Sequence, residues 1–200
     1  MRIVTPNVEL VSVTADALRV IEAAGRVCYK SEDKVTDTSA PAFVRGLIKR
    51  GHESVIEHAS ATFKFVCDRG VSHEIVRHRL AGYSQESTRY CNYGSRGGEI
   101  AVVVPPFTND ADRQSWTEAM DACEQAYLSM IGRGCAPQLA RSVLPNSLKT
   151  ELFMTANFRE WRHFLKLRTS SAAHPQMREV ANMVLAWFQA NYPVIVEDLA

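Results

Sequence analysis

The sequence predicts an α+β fold in a single domain covering residues 1–200. Three observations predict it. Strand candidates with period-2 alternation and helix candidates with 3.6-residue periodicity share one chain. No internal repeat, linker or low-complexity segment divides that chain. Hydrophobic residues at 46% and charged residues at 22% are those of an ordinary globule long enough to bury a real core.

The elements follow in order. Residues 8–13 are a short strand candidate. Thr14 is placed to cap a helix over 15–28, with Leu18, Val20, Ile21 and Val27 as apolar positions. The polar run 30–39 reads as loop. A helix over 41–50 has Pro41 at its start and Gly51 just past its end. Residues 62–67 alternate, with Phe63, Phe65 and Cys67 on one face, which is a half-buried strand. A helix over 71–79 puts Val71, Ile75 and His78 on its packed side and Glu74 and Arg77 at the border. Gly82 and Ser84 break that pattern, and the chain from Leu80 reads as an irregular polar arm. A β-branched strand at 100–104 is ended by Pro105 and Pro106. Asn109 or Asp110 caps a long helix to Gly132, and 138–144 is a shorter helix. A strand over 151–156 and helices over 158–168 and 173–191 complete the chain.

Composition excludes several functions. A formal charge of +1 gives no global field for nucleic acid or an anionic membrane, so any anion site must be local. Five cysteines, an odd set without C-x-x-C, argue for a reducing compartment. With no signal-peptide pattern and no apolar run near a membrane span, the expected location is the cytoplasm. Six histidines show neither H-E-x-x-H nor a zinc-type Cys/His quartet, so no metal is expected. Residues 94–98, GSRGG, match no phosphate-binding glycine motif and read as loop. Cys91 has no evident activating base and reads as a small packed side chain.

Two stretches carry chemistry. Residues 77–90, RHRLAGYSQESTRY, gather Arg77, His78, Arg79 and Arg89 around Gln85 and Glu86, with hydroxyls at Tyr83, Ser84, Ser87 and Thr88. Guanidinium forks match phosphate and carboxylate oxygens in bidentate fashion. In the helix over 158–168, Phe158, Trp161, Phe164 and Leu165 form an apolar stripe that also holds Arg168. Arg159, Arg162 and Lys166 read as a solvated face. A cation on a core-facing stripe must be paired or must reach solvent at the helix end.

The order RHR, seven residues, Ser87 resembles the RHR-x7-S signature of the flavin-dependent thymidylate synthases. GHESVIEHAS (51–60) resembles that family's GHxSxxEH element, and LARSVLP (139–145) and NFREWRHFLKLR (157–168) resemble its downstream elements. The resemblance implies an antiparallel sheet flanked by helices, in the fold of thymidylate synthase-complementing proteins. It implies that dUMP, 5,10-methylenetetrahydrofolate and NADPH give dTMP, tetrahydrofolate and NADP, with FAD carrying the hydride and no cysteine nucleophile. Arg168 and Ser87 are the implied catalytic residues. For dUMP it implies Glu74, Arg77, Gln85, Ser87, Thr88, Arg89, Arg141 and Arg168. Of these, Arg89 and Arg141 suit the phosphate and Arg168 suits charge developing on the ring. Around FAD it implies His52, Ser54, Arg77, His78, Arg79, Ser84 and Gln85, then Asn157, Arg159, His163 and His174. Gly82, Ser84 and Gln85 stand where members often have serine, asparagine and glutamate, and His163 where some have asparagine. The implied assembly is a homotetramer with its sites at subunit interfaces. Two other classes remain: a non-catalytic nucleotide- or RNA-binding module on the same fold, and a metal-dependent nucleotidyl hydrolase.

Overall fold

The computed structural model describes residues 1–95 and 97–199, so Arg96 of the GSRGG run lies outside the described residues. The strands are β1 (Arg2–Ile3), β2 (Asn7–Val13), β3 (Ser60–Asp68), β4 (Ala81–Gln85), β5 (Ala101–Val102) and β6 (Lys149–Asn157). The helices are α1 (Ala17–Val27), α2 (Ser39–Lys49), α3 (Arg69–Ile75), α4 (Asp110–Gly132), α5 (Pro137–Ala140), α6 (Phe158–Arg168), α7 (Pro175–Asn191) and α8 (Pro193–Val196). An antiparallel sheet runs in the order β2-β3-β6-β4, and β1 pairs in parallel with β5. The fold is α+β. No helix among the described residues is long and apolar enough to cross a membrane.

The chain resolves into two compact units. The first comprises residues 1–7, 65–77 and 84–152. Its core gathers Ile100, Val102, Met120, Tyr127, Ala140 and Leu148. The Met1 ammonium donates to Glu124 at 2.9 Å, and the Ile100 N–H donates to the other oxygen of the same carboxylate at 2.8 Å. Helix α4 is capped by Asn109, whose carboxamide oxygen accepts from the Asp112 N–H at 2.7 Å. Helix α3 starts two residues before its expected position. The reason is Asp68, whose carboxylate accepts from the Val71 N–H at 2.8 Å and satisfies an otherwise open donor.

The second unit comprises residues 8–64, 78–83 and 153–200. An aromatic cluster fills it. Phe63 meets the Trp161 ring edge-on at 5.0 Å, and Phe158 meets Phe188 likewise at 5.3 Å. The Trp161 indole N–H donates to the Ala61 carbonyl at 3.0 Å, so this fully buried ring keeps its one polar group paired. Replacing Trp161 by alanine is expected to cost about 3–5 kcal/mol, read as a lowered urea midpoint at unchanged slope.

Several expected elements shift. Thr14 does not cap α1; its hydroxyl accepts from the Ser60 N–H at 2.9 Å, and Asp16 takes the cap position at φ +48°. The 100–104 strand shortens to Ala101–Val102. The run 53–58 forms a 3-10 turn, and Glu32–Lys34 forms another inside the expected loop. The polar arm after Leu80 is not irregular. It is strand β4, with Ala81, Tyr83 and Gln85 half-buried and Gly82 and Ser84 exposed. Only Tyr83 has apolar bulk there, so period-2 alternation exists without a hydrophobic signal.

Candidate active site

The motif strand enters the first unit at Ser84 and Gln85. The Gln85 carboxamide N–H donates to Ser72 Oγ at 2.9 Å and Thr150 Oγ1 at 3.2 Å, which fixes that side chain against α3 and β6. Glu86 next receives Lys149 Nζ at 3.1 Å and the Tyr93 hydroxyl at 3.0 Å. Burial and Glu86 push the Tyr93 phenol well above its ordinary range.

Ser87 then opens a turn. Its carbonyl accepts from the N–H groups of Tyr90 and Cys91, at 3.2 and 2.9 Å, and its hydroxyl accepts from the Arg89 N–H at 3.3 Å. That turn leaves Arg89 exposed and buries Thr88. Arg141, in the 3-10 turn that follows α5, donates to Thr88 Oγ1 at 3.4 Å and is itself exposed. The Arg141 guanidinium therefore meets the Thr88 hydroxyl, while that of Arg89 lies over the Tyr90 ring, 5.3 Å from its centroid; guanidinium and hydroxyl groups of this kind suit a phosphate. Glu74 and Arg77 lie in the same unit, half-buried and exposed respectively, joined through the Arg77 N–H to the Glu74 carbonyl at 3.2 Å.

In the second unit the deciding side chain is His78. Only 3% of it is exposed, and its ring meets Phe164 at 4.9 Å and His163 at 5.5 Å. Arg168 Nε donates to His78 Nε2 at 3.1 Å. Arg168 is thus paired, as a cation on the apolar stripe of α6 requires. Burial, then Arg168, then His163 lower the His78 pKa to about 4. His78 is therefore neutral at pH 7, and its approach to Glu160, 3.3 Å from Nδ1 to Oε1, is not an ion pair. Tyr83 donates its hydroxyl to the His78 carbonyl at 2.6 Å.

Among the grooves of this unit, two are bordered by the expected flavin residues. One of about 910 Å³ is lined by Asn157, Arg159 and His163 together with Glu53, Glu57 and Glu160. The other, about 420 Å³, is lined by His52, Ser54 and Arg159. Arg159 borders both and currently binds Glu57 at 2.6 Å. His52 reaches its groove because α2 ends in a Schellman motif. Gly51 sits at φ +73°, its N–H donates to the Ile48 carbonyl at 2.9 Å, and the His52 N–H donates to the Leu47 carbonyl at 3.0 Å. Arg79 and Ser84 are exposed. His174 precedes α7 as its cap residue and lies outside both grooves.

One expectation about α6 is corrected. Arg162 is not solvated; 7% of it is exposed. It grips Asp198 with two bonds of 2.7 and 2.8 Å, reaches Glu53 at 3.3 Å and donates to the Ile195 carbonyl. The Arg162 bonds hold the Asp198 carboxyl below its usual range. The partners come from distant segments, so the helix pattern alone could not reveal them. Glu160 was also missed. Its one sequence signal is its position three residues after Asn157, a capping-box spacing.

His78, Glu160 and His163 place ligand atoms within 4.8 Å of one another, close enough in principle for a metal ion. Arg168 bonded to the His78 ring sets a fixed positive charge beside any such ion, which opposes cation binding.

Residues 9–194 match the family described as thymidylate synthase complementing protein. The chain belongs to that family. The matched span contains every site residue from His52 to His174. Similar proteins include the flavin-dependent thymidylate synthase of Geobacter sulfurreducens, 36% identical over 96% of this chain and 86% of that one. The Mycobacterium tuberculosis H37Rv protein of the same name is 37% identical over 90% and 78%. Among solved structures, the UMP/dUMP methylase PolB from Streptomyces cacaoi, bound with 5-Br dUMP, superposes with a TM-score of 0.83 at 29% identity. The match covers 98% of this chain and 96% of that one.

Proposed function

We propose that residues 1–200 act as one flavin-dependent thymidylate synthase domain. The reaction is reductive methylation of dUMP to dTMP, with 5,10-methylenetetrahydrofolate as methylene donor and NADPH as reductant. The supporting observation is a family match across 9–194 that includes the arginine-and-hydroxyl cluster around Thr88.

In this reading Arg89 and Arg141 grip the nucleotide phosphate, with Ser87 and Thr88 supplying hydroxyls, and Glu74, Arg77 and Gln85 complete the dUMP site. Arg168 stabilises negative charge that develops on the uracil ring. The proposed route uses no thiol adduct; of the cysteines, Cys67 is buried with its pKa pushed up to about 12, which makes that one thiol a poor nucleophile.

The residues fit a flavin dinucleotide. The smaller groove sets His52, Ser54 and Arg159 against the one acid Glu53, which suits a phosphate. The larger groove, where Glu53, Glu57, Glu160 and Asp198 face Arg159, Arg162 and Lys166, suits an uncharged ring with hydrogen-bonding edges. Asn157 and His163 border it, and His78, Arg79, Arg77, Ser84, Gln85 and His174 complete the proposed FAD contacts. When bound, FAD supplies the hydride that completes the methyl group.

The proposal includes a homotetramer, working in the cytoplasm, with sites at subunit interfaces. Leu80 and Tyr90, which bracket the motif strand, are 77% and 78% exposed and suit burial against another copy. Protein purified without added cofactor is expected to be yellow and to release FAD on denaturation. A colourless protein that takes up no FAD and forms no dTMP overturns the reading.

A further inference from the structure

Glu160 is a buried carboxyl on the wall of the larger groove, and neither the nucleotide cluster nor the proposed FAD contacts include it. It occupies the third position of α6, where a glutamate ordinarily reaches back to the cap residue. Here Asn157 accepts from the Glu160 N–H at 2.9 Å, and the Glu160 side chain turns inward, to within 3.3 Å of His78 Nδ1.

The protonation pattern of the His78 ring follows from its other neighbour. A guanidinium never loses its proton, so the Arg168 Nε–H bonded to Nε2 requires a lone pair there. A neutral ring must then carry its proton on Nδ1. That nitrogen is buried with no hydrogen bond of good geometry, and Glu160 Oε1 lies 3.3 Å away. Such bonds are often long before a ligand arrives, and a turn of the carboxylate closes the angle. The groups around this pair are Tyr83 on the His78 side and His163 and Arg168 on α6.

We propose that Glu160 is a positioning residue: it receives the Nδ1 proton of His78, holds the imidazole with Nε2 turned to Arg168, and so fixes the direction of the Arg168 guanidinium. The chain Glu160–His78–Arg168 acts as one unit, each member oriented by the one before it. The catalytic consequence rests on the role proposed above for Arg168; the tautomer does not.

The test uses full-length protein with ¹⁵N-labelled histidine, the His78 signals being assigned by their loss in His78→Gln. The expected wild-type spectrum has Nδ1 protonated and Nε2 unprotonated at pH 7. Glu160→Leu removes the acceptor. With Arg168 still donating to Nε2, the proton is expected to stay on Nδ1 but lose its acceptor, which shifts the Nδ1 signal, and dTMP turnover is expected to fall about tenfold, the equivalent of one lost hydrogen bond. The Kd for dUMP is expected to stay within about twofold. Glu160→Gln keeps an acceptor oxygen of the same reach and should restore both the wild-type Nδ1 signal and most of the turnover. A wild-type ring protonated on Nε2 overturns the proposal, as does an Nδ1 signal that Glu160→Leu leaves unmoved. Should Glu160→Leu fail to fold, a Glu160→Gln protein with a switched tautomer overturns it as well. A wild-type protein that forms no dTMP defeats the functional reading, while the nitrogen spectrum still decides the role of Glu160.

Discussion

Arg168→Ala is expected to lower turnover by about a hundred- to a thousandfold while changing the Kd for dUMP by less than about tenfold. The asymmetry follows from when the interaction matters. Dispersed charge on a neutral uracil ring offers a guanidinium little; charge that forms on the ring during reaction offers it much. The structure adds a reason for a sharp effect. Arg168 Nε is committed to His78, a buried neutral ring, so the guanidinium is held in place before any nucleotide binds. Arg168→Lys should recover little, because an ammonium lacks a fork that can bond His78 and, in the proposed role, the ring together. Stopped-flow turnover and nucleotide titration on the same preparation check this. A large loss of dUMP affinity at near-normal turnover would make Arg168 a ground-state ligand instead.

The Arg89→Ala/Arg141→Ala double variant should raise the Kd for dUMP about a thousandfold, with turnover at saturating nucleotide within about tenfold of wild type. A hydrogen bond to a charged group contributes about 1.5–3 kcal/mol, and two such groups on one phosphate give the combined figure. The phosphate carries its charge before, during and after reaction, so its contacts act on binding rather than on the chemical step. Both side chains are exposed, and Arg141 touches the motif through Thr88. The single variants will not sum simply if the remaining arginine shifts toward the anion. Retained FAD binding with lost dUMP binding is the expected calorimetric pattern. Loss of flavin with unchanged dUMP affinity would move these arginines to the cofactor.

Much of this was legible because local chemistry agreed with the fold. Asn157 caps α6 through its own side chain and the next four apolar positions point inward, so both ends of that helix can be read from residues 157–168 alone. Phe63, Phe65 and Cys67 alternate and are buried as their spacing requires. Strand β4 was illegible because it is held in the sheet by backbone pairing, as at Glu86, whose N–H donates to the Glu151 carbonyl at 2.9 Å. Its side chains carry polar chemistry and give no hydrophobic alternation. The buried charge of Arg162 was illegible for a different reason: Asp198 and Glu53, which make its burial tolerable, lie 36 and 109 positions away. The motif residues themselves were readable by type and spacing. Which of them the protein ties to itself, as with Gln85, and which it leaves exposed, as with Arg89, only the packing decides.

The stop at Gly51 sorts substitutions by handedness rather than by size. A methyl group built on that α-carbon meets nothing within 4 Å, so bulk is no obstacle there. The obstacle is chirality: an L-residue held at positive φ gives up about 1–2 kcal/mol. Asparagine, which visits that region, should be the mildest replacement, alanine worse, and a β-branched residue worst of all. If His52 and Ser54 hold FAD as proposed, a change without a single lost contact would then surface as a weaker grip on the cofactor, because the misdirected backbone carries both with it.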